Sequence, residues 1–196
     1  RIKLDLLDFT DTDIFSHWKK EMEIKTGRQV IDIEIKALNL LKNYISKDFV
    51  KVVNLLLKNK GKIIVSGIGK SGHIASKIAS TLSSVGSPSF YIHPSEANHG
   101  DLGMLEKKDV VILISNSGET SELINLILYC KKLGISIISI TSEPNSTLSR
   151  ESNLNLLIPK NIEACPLELA PTSSTTCTLA LGDALAVTLL KKKKFT

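Results

Sequence analysis

The sequence predicts a doubly wound α/β fold, a three-layer sandwich in which helices flank a five-stranded parallel sheet on both sides. Two observations predict it. Five short runs, 62–66, 89–93, 110–115, 135–140 and 154–158, are rich in Ile and Val and apolar on both faces, as strands covered on both sides must be. Between them lie stretches with helical periodicity, so strand and helix alternate as in successive βαβ units.

Taken in order, two amphipathic helices come first. Ile31, Ile35, Leu38, Leu41 and Ile45 recur at steps of three and four, as do Phe49, Val52, Val53 and Leu56. Gly61 supplies a stop before the first strand. Helices are expected at about 71–84, 119–133, 147–151 and 173–190. Doubly wound sheets of this flavodoxin-like or Rossmann-like kind bind ligands outside the carboxyl ends of their strands, where the strand order reverses. The loops that matter are therefore those after Ser66, His93, Ser115, Ile140 and Ile158.

The 196 residues suffice for one sizeable core, and no Pro/Gly-rich linker or repeat divides them. Residues 1–20 read as an N-terminal extension and 21–196 as a single domain. Aromatic residues make up only 5% of the chain, so the core must be aliphatic. The formal charge is +5, but apart from the run Lys191 to Lys194 the lysines are scattered along helices. That run follows an apolar helix, where cations complement the negative end of the macrodipole, so no nucleic-acid partner is expected. A modest positive balance suits phosphorylated substrates.

Cys130, Cys165 and Cys177 form no CxxC pair and no zinc-ligand spacing, which points to reduced thiols in a cytoplasmic protein. The first thirteen residues carry acids and no continuous apolar stretch, so no secretory signal is expected. The segment 178–190 is apolar but contains Asp183 and is too short to cross a bilayer, so it reads as a buried helix and no membrane partner is expected.

Gly67-Ile68-Gly69-Lys70-Ser71-Gly72 fits GxGxxG between a strand and a helix. A dinucleotide site also wants an acid at the end of the second strand, and that strand ends in Ile92-His93-Pro94. A Walker A loop wants glycine five residues before its Gly-Lys-Ser, and Ile64 stands there. What remains is either a plain tight turn or an anion site in which Lys70, Ser71 and the N–H groups of a helix start face a phosphate. In Ser115-Asn116-Ser117-Gly118-Glu119-Thr120, three hydroxyls and a glycine lie where a strand passes into a helix. One hydroxyl is enough to cap a helix. Ser115, Ser117 and Thr120 together form a candidate phosphate cradle.

Four motifs in order resemble the sugar isomerase (SIS) domain family, and within it the D-arabinose-5-phosphate isomerases. They are Gly69-Lys70-Ser71-Gly72-His73, the stretch from His93 through His99 to Gly103, the Ser115 to Thr120 segment, and Glu163-Ala164-Cys165-Pro166-Leu167 followed by Ala170 to Thr176. The resemblance runs from about residue 22 to the end. It implies interconversion of D-ribulose 5-phosphate and D-arabinose 5-phosphate for synthesis of the lipopolysaccharide sugar Kdo, with no required cofactor, in a homo-oligomer of tetrameric form. It aligns Lys70, Glu122 and Glu163 with catalytic residues, and His93 and His99 with histidines lining the site. Gly69, Ser71, Gly86, Ser87, His93, Ser115, Ser117, Thr120, Thr172 and Ser173 are the positions it marks for sugar phosphate. Many relatives carry a pair of CBS domains, and these 196 residues contain none; a family His-Pro-Gly-Gly motif likewise has no counterpart, since no histidine follows His99.

Aldose–ketose interconversion needs a base for a carbon-bound proton, a group that shuttles protons between two oxygens, and stabilisation of the enediol. Glu163, flanked by Ala164, Pro166 and Leu167, is the expected base, with a pKa expected to be raised by apolar neighbours. Glu122 in a first helical turn is otherwise only a macrodipole complement. His99 is the expected proton shuttle and ring opener, and His93 is a site for adventitious, inhibitory Zn²⁺. His17 and His73 read as uninvolved. Two other outcomes share this fold: a phosphoheptose or hexulose-phosphate isomerase, and a non-catalytic phosphosugar-sensing module. The second would need a DNA-binding element, and the first 60 residues show no short basic recognition helix.

Overall fold

Side chains alternate between the two faces of a strand, so each Ile/Val run supplies both halves of a core at once. The computed structural model describes residues 12–97, 100–160 and 163–193, with side chains from residue 20 onward. Five parallel strands, β1 (Ile63–Gly67), β2 (Ser89–Ile92), β3 (Val110–Ile114), β4 (Ser136–Thr141) and β5 (Leu154–Leu157), pair in the order β2-β1-β3-β4-β5. One face of the sheet presents Ile63, Val65, Val110, Ile112, Ile114, Ile138 and Ile140. Against it pack α1 (Thr12–Leu41), α2 (Lys47–Lys58), α3 (Gly69–Ser84) and α7 (Ser173–Lys193). The other face presents Ile64, Val111, Leu113 and Ile137 to the short α4 (Pro94–Ala97), to α5 (Ile124–Leu133) and to α6 (Thr147–Glu151).

The predicted α/β sandwich is present, with several boundaries moved. The 119–133 helix begins only at Ile124, preceded by a tight turn at Ser121–Leu123, because the Ser115 to Thr120 segment is held as a loop. The last helix extends to Lys193. At 21 residues α7 is long and apolar enough to span a bilayer, unlike the shorter segment read from the sequence. Half of its most apolar window is buried, and Cys177, Leu181, Leu185 and Leu189 lie in the core. It is a central helix of the sandwich.

The largest departure is α1. It is one helix across position 20, and Ile45 lies beyond its end. Its buried edge is Ala37 and Leu41, which lean on α7. Ile31 and Ile35, part of the apolar periodicity that marks the helix, are 59% and 48% exposed. Periodicity finds a helix with an apolar stripe; it does not say whether the stripe meets its own sheet or another surface.

Candidate active site

Strands β1 and β3 are neighbours, with Gly67 opposite Ile114, yet the helices that follow them lie on opposite faces: α3 on one, α5 on the other. This is the point where the strand order reverses, and it sets the Gly67 to Gly72 turn beside the Ser115 to Thr120 loop. Two glycines shape the first turn. Gly69 has φ +58, and a Cβ on Gly72 would come within 2.8 Å of both Gly67 O and Tyr91 Oη. Tyr91 Oη donates to Gly67 O at 2.9 Å, and Ser66 Oγ donates to Ile92 O at 2.7 Å, tying the ends of β1 and β2 together.

The starts of α2 and α6 are capped by side chains. Ser46 Oγ accepts from Asp48 N in α2, and Ser146 Oγ accepts from Ser149 N in α6. At the reversal point neither start has such a cap: Ile68 precedes α3 and Thr120 precedes the Ser121–Leu123 turn, each without a side-chain bond to the N–H groups that follow. Two sets of first-turn N–H groups thus have no side-chain acceptor on adjacent central strands, and Lys70 is exposed beside one of them.

The three hydroxyls of the second loop are not equivalent. Ser115 is buried; its Oγ accepts from Gly118 N at 3.0 Å and lies 2.7 Å from Thr120 Oγ1. It is an internal strut. Ser117 is exposed, with its Oγ accepting from Glu119 N at 3.3 Å, and is the hydroxyl of the three that a ligand can reach most freely. Gly118 has φ +67, and a Cβ there would collide with Ser146 Oγ. Asn116 O accepts from Thr141 Oγ1 and from both Ser142 N and Ser142 Oγ, which pins the loop to the end of β4. Glu122 is exposed and accepts from Ser121 Oγ at 3.0 Å.

Glu163 belongs to the same edge by way of α7. Ile78 lies nine residues into α3 and Gly182 nine into α7, and a Cβ on Gly182 would collide with Ile78 Cγ1. A Lys77–Asp183 ion pair lies next to this contact. Lys193 at the end of α7 also reaches Gly86 O just past the end of α3, so the two helices are parallel and level, with both N-termini at the carboxyl edge of the sheet. Glu163 Oε2 accepts from Thr172 N at 2.6 Å, Thr172 Oγ1 at 2.9 Å and Ser174 N at 3.3 Å, so the carboxylate sits on the opening turn of α7.

This corrects the expected pKa. Burial is the largest influence and raises it, but the Ser174 and Thr172 donors together outweigh burial and hold the carboxyl below its ordinary value. Apolar neighbours in sequence are not apolar neighbours in space. Thr172 is also corrected: its hydroxyl donates to Glu163 and accepts from Ala164 N at 2.8 Å, which commits it to the carboxylate instead of to phosphate. Ser173 is fully buried, with no partner for its Oγ among the described residues.

His93 follows β2, half-buried, and its Nδ1 accepts from Ser95 N at 3.2 Å, leaving the proton on Nε2. Among the described residues no three His, Cys, Asp or Glu side chains cluster to hold a metal ion. His99 lies outside the described residues. Gly86 and Ser87 are placed at the opposite, amino end of the sheet. There Ser87 N donates to Leu82 O and Gly86 N to Ser83 O, closing α3, while Lys193 Nζ reaches Gly86 O at 3.0 Å and Ser87 Oγ at 2.8 Å. Within one chain these two do not join the other candidates.

Sequence reasoning passed over Cys165, whose thiol is held below its usual range by the N–H groups of Ala170, Leu167, Leu169 and Glu168. No spacing signals this, because the loop returns on itself with Glu168 at φ +53. Burial pushes the Cys130 thiol the other way, up to about 12.

A family model described as SIS domain matches residues 56–188. The arabinose 5-phosphate isomerase KdsD of Pseudomonas aeruginosa is 51% identical over 173 residues, covering 88% of this chain and 53% of that protein. The enzyme of the same name from Francisella tularensis is 51% identical over 175 residues, covering 88% and 54%. The chain thus spans about half the length of the curated relatives it matches. A solved structure, that of E. coli CFT073 c3406 in complex with arabinose 5-phosphate, superposes with a TM-score of 0.87 at 43% identity, covering 90% of this chain and 94% of that one.

Proposed function

The chain belongs to the SIS domain family, and from that premise we propose that it is an aldose–ketose isomerase interconverting D-ribulose 5-phosphate and D-arabinose 5-phosphate through a cis-enediol. Its place is the supply of Kdo for lipopolysaccharide in the cytoplasm. The observation that carries the reading is the pair of helix starts without side-chain caps at the reversal point, with the Glu163 carboxylate on a third helix start at the same edge. The relatives named arabinose 5-phosphate isomerase support the choice of sugar.

In this reading the phosphate rests on the Gly69 to Ser71 turn and the Ser117 loop. Glu163 removes the carbon-bound proton, Lys70 neutralises charge developing on the enediolate oxygen, and His99 carries a proton between O1 and O2. Glu122 is the second carboxylate. Hydrogen moves from one carbon of the substrate to its neighbour, so the reaction balances without an external oxidant or reductant and requires no cofactor. Zn²⁺ at His93 would be inhibitory only.

We also propose a homotetramer, with neither nucleic acid nor membrane as partner. Ile24, Ile31 and Ile35, at steps of seven and four on α1, are all about half exposed or more, a stripe that a second copy would cover. Ile31→Glu with Ile35→Glu is expected to lower the mass seen by light scattering at micromolar protein. Unchanged mass would place the interface elsewhere on the chain, and a monomeric wild type would overturn the assembly altogether.

The test of the function is a coupled assay with ribulose 5-phosphate, sedoheptulose 7-phosphate and fructose 6-phosphate. Turnover of the first alone is expected. Preference for either of the others would overturn the choice of sugar, and tight binding without turnover would mark a sensing module.

A further inference from the structure

We propose that Thr172 is a positioning residue that locks Oε2 of Glu163 to the start of α7 and so leaves Oε1 as the oxygen that takes the proton. The inference rests on Glu163 acting as the base. Glu163 itself lies in neither a helix nor a strand, and such backbone by itself does not hold a carboxylate in one orientation. Thr172 supplies two of the donors at Oε2, its N–H at 2.6 Å and its hydroxyl at 2.9 Å, and Ser174 N adds a third at 3.3 Å. The same hydroxyl accepts from Ala164 N at 2.8 Å, so one oxygen fixes both the carboxylate and the backbone that bears it.

That anchor is rigid because α7 is. Cys177, Leu181 and Leu185 seat it in the main core within the first four turns. Three donors fill the lone-pair directions of Oε2, so a proton arriving from carbon has Oε1 as its acceptor. A general base misplaced by about 1 Å loses up to about 10²-fold in rate, which is the scale at which such a clamp matters.

The influences on Glu163 are burial, which raises its pKa, then the Ser174 hydroxyl, the N–H and hydroxyl of Thr172 and the Ser174 N–H, which lower it, with no charged side chain among them; residues 173–176 at the start of α7 carry no charge. Removing a donor to the ionised form raises a carboxylate's pKa. Thr172→Val keeps the shape and the backbone N–H and deletes only the hydroxyl. It is expected to lower kcat by about 10- to 10²-fold with KM little changed, and to move the acid limb of kcat/KM to higher pH. Thr172→Ser restores the hydroxyl and is expected to restore both.

A ¹³C NMR titration of Glu163, assigned with Glu163→Gln, should show the same upward shift in Thr172→Val. If Val crowds Ala164 and the variant folds poorly, Thr172→Ala is read in the same way. A Thr172→Val protein with wild-type kcat and an unmoved acid limb would overturn the clamp. Glu163→Gln measured alongside separates the two readings: if it is inactive while Thr172→Val is normal, only the role of Thr172 falls. If Glu163→Gln keeps both turnover and hydrogen exchange, Glu163 is not the base and the premise falls.

Discussion

Glu163→Gln is expected to lower kcat by about 10²- to 10⁴-fold, the usual contribution of one positioned general base, while KM changes little. Gln keeps the volume and can still accept at one oxygen, so the Thr172 and Ser174 donors retain a partner and the opening of α7 should stay in place. Exchange of solvent deuterium into C2 should fall in parallel with turnover. A variant that lost turnover but exchanged that hydrogen at the wild-type rate would make Glu122 the next base to test. The pH profile carries a second check. A carboxyl held below its ordinary value stays ionised until the pH falls through that lowered value. The acid limb of kcat/KM governed by Glu163 should therefore lie below the ordinary glutamate pKa of about 4.3. A limb near pH 6 would mean that another group limits the free enzyme.

Ser115→Ala combined with Ser117→Ala is expected to raise KM for the sugar phosphate by about 10- to 10²-fold, the scale of a lost hydrogen bond to a charged group. The single variants should differ in kind. Ser117 is exposed, so its removal should raise KM and leave thermal stability near wild type. Ser115 is buried, accepts from Gly118 N and is hydrogen-bonded to Thr120 Oγ1; Gly118 N keeps Ser115 O at 3.2 Å, so the loss is that of the hydroxyl's own bonds, about 0.5–1.5 kcal/mol each. Ser115→Ala should therefore lower Tm as well as weaken binding. An unchanged KM in the double variant would remove this loop from the phosphate site.

Some of these residues were legible from sequence because their chemistry depends only on local pattern. Ile and Val runs without polar alternation announce buried parallel strands, since both faces must be apolar. Glycine at 69 and 118 sits where the backbone takes positive φ, which a side chain resists, so the two turns at the reversal point are written in residue type. The motif resemblance carried Lys70, Glu122 and Glu163 without any geometry.

What local pattern does not hold is which group faces which. The pKa expected for Glu163 had the wrong sign because its sequence neighbours Ala164, Pro166 and Leu167 are apolar. Its spatial neighbours, Thr172 and Ser174, lie nine and eleven positions away and donate hydrogen bonds. Ser115 and Ser117 read alike in sequence, and only burial under the loop made one a strut and left the other open. Gly86 and Ser87, read as sugar-phosphate positions, close α3 at the far end of the sheet. On α1, Ile31 and Ile35 have the right period for a buried face and yet point away from α7. The sequence by itself determined the strands and the turns, because these follow from residue type and period. The tertiary structure alone decided the partners of Glu163, the side of α1 that is covered and the end of the sheet at which each loop lies. Those depend on contacts between segments distant in the chain, which no local period encodes.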